Sequence, residues 1–476
     1  MNRPAIPSFG WNGQLSQWLK LAMQAAAIGA VSGLSVGGVR LVFRLLQWCV
    51  TGHAGLLSAA ADELPLWRRA ATPALGGLAA MVVLTIARRV TSGLITTEYV
   101  EAIRFEEGRI SLVSTLWRTL SSACSVATGA AIGREGTMVQ FAAAVVSFLG
   151  QRLRWIRLPL ARQVACGVAA AIAAAYQAPL AGTLFAVEIV MGTTDWRPIP
   201  ILLISAFTGV AASRTVLAGG PLFAPHHTIN IAPGQACIAL LLAAFLGVLG
   251  PIYLWLIRSL RFAVRLPFAL FWSGAAVGIL SLVTGLVWGN GDAALLDSLQ
   301  SSVTVHALLE VLLLRLSATV FCVGTGTSGG IFTPTLFVGS ALGLLICTLA
   351  HGGNSLLFAV IGMSCLLAAS THAPLMATFM TSELTGQWII FPFVLICNVV
   401  AWQVARRISS HSLYTIASDV PAALPRAELT PPSAPDVSGS EALSRFEAYG
   451  LFLPNDLAPT KRTPYRAALI AKGKRR

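Results

Sequence analysis

Apolar residues gather into nine stretches of spanning or near-spanning length, at residues 21–39, 71–87, 164–190, 198–217, 236–257, 266–288, 331–349, 356–380 and 388–405. A helix crosses the hydrocarbon layer in about 20 apolar residues, so the pattern predicts an all-α polytopic membrane protein. Several stretches are short or interrupted by glycine and proline. Irregular backbone at membrane depth persists only where protein or a water-filled cavity surrounds it, so these interruptions point to a transport pathway. Between them, residues 91–110 carry Glu98, Glu101, Glu106 and Glu107 and must leave the hydrocarbon in part. The chain opens on a mixed segment with Trp11 and Trp18 as interfacial anchors. It closes, beyond Tyr414, on a polar tail containing Pro431-Pro432-Ser433-Ala434-Pro435, whose composition is that of a flexible extension.

The apolar pattern repeats. Gly167, Ala173-Ala174, Ala178-Pro179-Leu180, Thr183 and Glu188 recur as Gly362, Ala368-Ala369, Ala373-Pro374-Leu375, Thr378 and Glu383, at a constant offset of 383 − 188 = 195. One tripeptide, one threonine and one glutamate in a single register indicate duplication, as in transporters whose binding sites form where two repeats meet. The expected division is an interfacial segment at 1–18, a first membrane repeat at 19–218, a second at 219–415 and a cytoplasmic Pro-rich basic tail at 416–476.

Composition narrows the class. With 55% hydrophobic and 11% charged residues and a mean hydropathy of +0.74, the chain is not a soluble enzyme. Its net charge of +14 comes as short basic clusters between apolar segments, a feature of membrane topology and not of nucleic-acid binding. No cleavable signal pattern opens the chain and Lys472-Gly473-Lys474-Arg475-Arg476 closes it, which places both termini in the cytoplasm. The eight cysteines stand singly, with no metal-ligand spacing, so neither disulfides nor a metal is expected.

Within this apolar frame one carboxylate stands out. Gly133-Arg134-Glu135-Gly136-Thr137 breaks the chain ahead of the apolar run 138–149, a break followed by a helix start. The free amides of such a start carry roughly half a positive elementary charge, which suits an anion. A plain ion pair between Arg134 and Glu135 on an external loop is the other reading of this stretch alone. The second repeat supplies a counterpart, Gly329-Gly330-Ile331-Phe332-Thr333-Pro334, again two glycines leading into an apolar helix with proline in its first turn.

With both breaks located, the pattern resembles the ClC family of chloride channels and proton/chloride antiporters, most of all its bacterial voltage-gated chloride channel branch, over nearly all of the chain except the tail. The motifs that carry the resemblance are Gly133-Arg134-Glu135-Gly136, Gly330-Ile331-Phe332-Thr333-Pro334 and Ser412-Leu413-Tyr414. The resemblance implies a fold of two inverted repeats with tilted and broken helices, a homodimer with a pore in each subunit, chloride as the transported ion and no cofactor. It also implies that Glu135 gates the outer anion position, that Ile331 and Phe332 offer backbone amides to a central anion, and that Tyr414 offers its hydroxyl. As an isolated residue Tyr414 would be an interfacial anchor. Arg118 resembles a buried basic residue that raises the potential near the pore, or it forms an ordinary salt bridge.

The departures from the family pattern shape the functional expectation. The Gly-Ser-Gly-Ile-Pro motif survives only as Thr91-Ser92-Gly93-Leu94-Ile95, leaving Ser92 as the candidate ligand with Thr96 and Thr97 as alternatives. The antiporters' paired glutamates read Glu188-Ile189, so Glu188 is the remaining candidate on a proton path. The expected function is therefore a voltage- or acid-gated chloride channel of the bacterial inner membrane, acting as an electrical shunt in acid resistance. The alternative is a proton-coupled chloride or fluoride antiporter. A distant alternative, an intramembrane serine protease, rests on Gly326-Thr327-Ser328-Gly329-Gly330 and His372.

Overall fold

A computed structural model describes residues 11–414, apart from 54, 92–96, 154–157, 194, 217–222, 224–228, 230, 301–303 and 351–352. The chain divides into two compact units, Met1–Ile408 and Ser409–Arg476. The described residues of the first are helical, with one isolated two-residue bridge and no strand. In chain order the helices are α1 (Trp11–Thr51), α2 (Leu57–Glu63), α3 (Leu66–Val90), α4 (Tyr99–Phe105), α5 (Leu112–Ala127), α6 (Glu135–Arg152), α7 (Leu160–Tyr176), α8 (Pro179–Leu184) and α9 (Ile199–Arg214). The second half follows as α10 (Pro233–Ser259), α11 (Ala269–Leu280), α12 (Asp292–Gln300), α13 (Val305–Gly324), α14 (Phe332–Leu349), α15 (Ser355–Thr371), α16 (Pro374–Thr385) and α17 (Phe391–Ile408). Among the described residues six helical segments are long and apolar enough to cross a membrane, which makes this a multi-pass membrane protein.

The duplication is visible in the backbone. Helices α7 and α15 each run 17 residues and end on a residue in the left-handed region, Gln177 (φ 56°) and His372 (φ 58°). Each is followed by a non-helical alanine, Ala178 (ψ 80°) or Ala373 (ψ 77°), and a helix that opens on proline. Both helices lie at the centre of the unit, buried over residues 163–176 and 356–371. The apolar stretch 164–190 is thus a helix, a reversal and a second helix, which continues past α8 as a π-helix over Phe185–Met191.

Besides α6, whose apolar run follows the first glycine break, the partly buried helices α5 and α13 also lie outside the nine apolar stretches. In α5, hydroxyl residues dilute the apolar pattern, but Thr115 and Thr119 satisfy their hydroxyls on the carbonyls of Ser111 and Thr115, one turn back. In α13 the apolar run is interrupted by Glu310 and by Arg315, a guanidinium group buried to 1% exposure.

Candidate functional site

The two glycine breaks meet. Gly133 donates its amide to the carbonyl of Gly330 and Gly330 donates to that of Gly133, both at 2.7 Å, forming an isolated antiparallel bridge. Reciprocal bonds of this kind relate the two breaks by a local two-fold. A side chain on Gly136 or Gly330 would meet the other's backbone at 3.0 Å, so this approach requires glycine on both sides. Helices α6 and α14 begin within two residues of the bridge, on Glu135 and Phe332. Their first internal bonds are Met138 to the Arg134 carbonyl and Thr335 to the Ile331 carbonyl. The amides of Glu135, Gly136 and Thr137, and those of Phe332 and Thr333, therefore precede the helical ladder and present positive partial charge together.

Both strands of the bridge are held from outside. Ser122 of α5 shares a 2.7 Å hydrogen bond with Thr137 Oγ1 and donates to the carbonyl of Ser328 at 2.6 Å, so one hydroxyl ties both breaks. Thr319 of α13 donates to the carbonyl of Ala131 at 3.0 Å. Tyr176, at the end of α7, packs its ring 5.0 Å from that of Phe332 and places its hydroxyl 3.3 Å from Thr333 Oγ1 in the first turn of α14.

The Glu135 carboxyl group is buried between these elements, at 7% exposure. Oε1 accepts a 2.7 Å hydrogen bond from Asn290 Nδ2, and Oε2 has no hydrogen-bond partner among the described residues. Arg134 pairs at 3.6 Å with Asp292, and Arg134, Asn290 and Asp292 line a small mouth with residues 55–57 and Val126. Arg134 and Glu135 are therefore not paired with each other on an exposed loop, since each takes a different partner from the second half.

The remaining candidates lie elsewhere. Arg118 is half-buried and bonds Glu98 at 3.1 Å, the salt-bridge arrangement. Ser92 and Thr96 lie outside the described residues. Thr97 donates its hydroxyl to Glu106 at 2.8 Å, and its carbonyl accepts from Gln140 of α6 at 3.0 Å. Tyr414 is half-buried in a turn of the second compact unit, so its assignment to the anion rests on the sequence motif. Glu188 sits in the π-helix with its Oε2 accepting the Met376 amide at 2.7 Å and a further bond from the Leu375 amide. Its repeat counterpart Glu383 accepts the amides of Leu180 and Ala181 at 3.0 and 2.8 Å. His372 holds the left-handed position, at the end of α15, that Gln177 holds in the first repeat.

Asn290, Ser122, Thr319 and Tyr176 were not legible as site residues, because each acts on a break at least fifteen positions away in sequence (137 − 122 = 15). The one available signal was Asn290 set between Gly289 and Gly291, a polar residue on a glycine-flanked turn beside the long apolar stretches.

The comparisons with known proteins agree with this architecture. The sequence model described as "Voltage gated chloride channel" matches residues 75–406. The chain is 35% identical over 405 residues to the voltage-gated ClC-type chloride channel ClcB of Citrobacter koseri, covering 82% of this chain and 97% of that protein. Among solved structures, a slow cyanobacterial Cl−/H+ antiporter superposes with a TM-score of 0.74 at 21% identity, over 84% of this chain and 97% of the other. A CLC-type fluoride/proton antiporter superposes with a TM-score of 0.67 at 21% identity, over 86% and 98%. With its all-α fold, duplicated halves and paired glycine breaks, this chain belongs to the voltage gated chloride channel family.

Proposed function

We propose that the protein is a chloride channel in which Glu135 is the gate. The observation that carries the reading is the Gly133–Gly330 bridge, where two helix starts converge on one buried carboxyl group. Chloride needs such a cradle, because an unpaired charge in an apolar medium is prohibitive. Amides at two helix starts supply compensating charge without a cation of their own. Gly133, Arg134, Gly136 and Gly330 shape the site, Ile331 and Phe332 offer amides to the anion, and Glu135 competes with it. Protonation or displacement of the carboxylate opens the path. The Citrobacter koseri relative is itself named a voltage-gated chloride channel, in keeping with this reading.

The alternative, a proton-coupled chloride or fluoride antiporter, requires a second carboxylate that passes protons to Glu135. Glu188 is the nearest sequence candidate, and it is committed as an acceptor to the amides of Leu375 and Met376. That commitment favours passive conduction. The protein acts without a cofactor, as a homodimer in the bacterial inner membrane with both termini cytoplasmic, and serves as an electrical shunt under acid stress. No enzymatic step is assigned to it.

The test is chloride efflux from liposomes holding the purified protein, with external pH recorded simultaneously. Chloride efflux without stoichiometric proton movement is expected. Sustained uphill proton uptake driven by a chloride gradient, abolished by Glu135→Ala, would establish the antiporter instead.

A further inference from the structure

We infer that the arginine-bearing turn after α10 binds the phosphate of an anionic phospholipid, and that the bound headgroup steadies the approach to the second glycine break. Helix α10 runs 27 residues, about 40 Å of helix against about 30 Å of hydrocarbon, so its end emerges into the headgroup layer. There the chain leaves the helix through a 3₁₀ turn, Arg261–Arg265, and enters α11 by way of Pro267 and Phe268. Arg258, Arg261 and Arg265 fall within one such link, while no Asp or Glu stands anywhere between Asp195 and Asp292.

Membrane topology alone accounts for basic residues in a short link, but not for their company. Arg261 and Arg265 are exposed, and around them Trp255, Phe262 and Leu266 are exposed as well, Phe262 to 63%. Phe268 also lies open, on backbone at φ 59°, a left-handed position that a bulky residue adopts at a cost. Aromatic rings beside charged groups belong where hydrocarbon meets headgroups. A guanidinium group there matches phosphate with two parallel N–H bonds, and its five donors leave some for a phosphate even when others are bonded within the protein. A water-soluble anion would leave the rings bare. A phospholipid supplies both the phosphate and the chains that cover them.

The other side of the turn packs inward. Ala263 is buried, a side chain on Gly324 would strike Leu260, and one on Gly326 would meet Val264 at 2.7 Å. Gly326 itself holds φ 83°, so the segment after α13 turns sharply against this surface. It then runs through Thr327, 3.2 Å from the hydroxyl of Ser273 in α11, to Ser328, whose carbonyl accepts from Ser122, and so to Gly330 of the bridge. The turn and the helix after it thus seat the segment that enters the second break. A headgroup that draws Arg261 and Arg265 to the membrane surface fixes that seat.

The test titrates the full chain in detergent with short-chain phosphatidylglycerol and counts bound lipid by native mass spectrometry. In Arg261→Gln/Arg265→Gln the half-saturating concentration of the tightest step should rise about thirtyfold, a factor of about five for each arginine. Arg406→Gln/Arg407→Gln, an equally exposed basic pair at the end of α17, should leave that step unchanged. An unchanged titration in the first variant, an equal rise in both, an equal loss of phosphatidylcholine, or displacement of the lipid by inorganic phosphate would overturn the site. So would loss of an oligomer from the first variant with lipid retained, because a second copy would then cover the turn. Hydrogen exchange reads the coupling: amides over 324–330 should slow on lipid binding in the parent and not in Arg261→Gln/Arg265→Gln. Exchange there that ignores saturating lipid in the parent would overturn the link to the break.

Discussion

Two seams join the halves of the membrane unit, and they use the duplication in opposite ways. Along α8 and α16 the symmetry reaches the side chains: Glu188 caps the start of α16 and Glu383 caps the start of α8, each through two backbone amides. At the glycine bridge the symmetry stops at the backbone. Gly133 and Gly330 exchange equivalent bonds, but Arg134 and Glu135 in one half correspond to Ile331 and Phe332 in the other (330 − 133 = 197). Two carboxylates at the bridge would satisfy both helix starts permanently, as they do at the first seam. On the function proposed above, a single carboxylate leaves two sets of amides for one carboxyl group and an anion to share. The proposed gate would then be a carboxylate present in one copy only, a competitor where the other seam has paired caps.

The largest expected effect lies at the symmetric seam and is one of stability. Glu188→Ala and Glu383→Ala each remove an acceptor from two amides, and each should cost about 3 kcal/mol in unfolding of the detergent-solubilised protein. The two losses should agree closely, because the environments are related by the repeat. Glutamine at either position keeps an acceptor and should recover a substantial part of the loss. Losses that differ several-fold between Glu188 and Glu383 would break the symmetry claimed for this seam. A proton-carrying role for Glu188 alone predicts such an inequality in transport rather than in stability.

Glu135→Gln should show the reverse profile. The bridge, the helix starts and the Ser122 bonds do not depend on the carboxylate's charge, so unfolding should change by less than about 1 kcal/mol. Efflux of the parent should rise on acidification by about tenfold, equivalent to about 1.4 kcal/mol. The glutamine variant should be flat over the same range. A variant with the parent's pH response would remove Glu135 from the gate.

The two seams were unequally legible in the sequence. The 195-residue register exposed both glutamates, and the glycine pairs exposed both breaks, because local composition carries those signals. The reciprocal caps were not legible, since each joins residues about 200 positions apart and a carboxylate's partners there are backbone amides common to every residue. Glu188 therefore read as a candidate for protons. The cation at Arg315 was hidden for a related reason: its partners are loop carbonyls, and with Glu310 it broke the apolar run that would have marked α13. Sequence periodicity records which face of a helix is apolar, and it is silent on which distant backbone groups a buried charge will meet.

The smallest effect sharpens the same contrast one residue before the left-handed reversal of each repeat. Tyr176 and Thr371 occupy equivalent positions (371 − 176 = 195) at the ends of α7 and α15. The Thr371 hydroxyl bonds back to the Leu367 carbonyl at 2.7 Å, within its own helix. That of Tyr176 reaches out of its helix to Thr333 Oγ1 at 3.3 Å, beside amides of α14 that precede the ladder. Only the tyrosine can therefore turn its proton toward an anion at that helix start. Tyr176→Phe removes one neutral donor and keeps the ring packed on Phe332, so the loss should be about 1 kcal/mol. Read as the chloride concentration for half-maximal efflux, this is a rise of about fivefold with little change in the maximal rate. Thr371→Val, which deletes an equally buried hydroxyl with no view of the site, should leave that concentration unchanged. A rise in both variants would mean that the effect travels through helix packing. No rise in Tyr176→Phe would leave the anion bound by backbone amides without this hydroxyl.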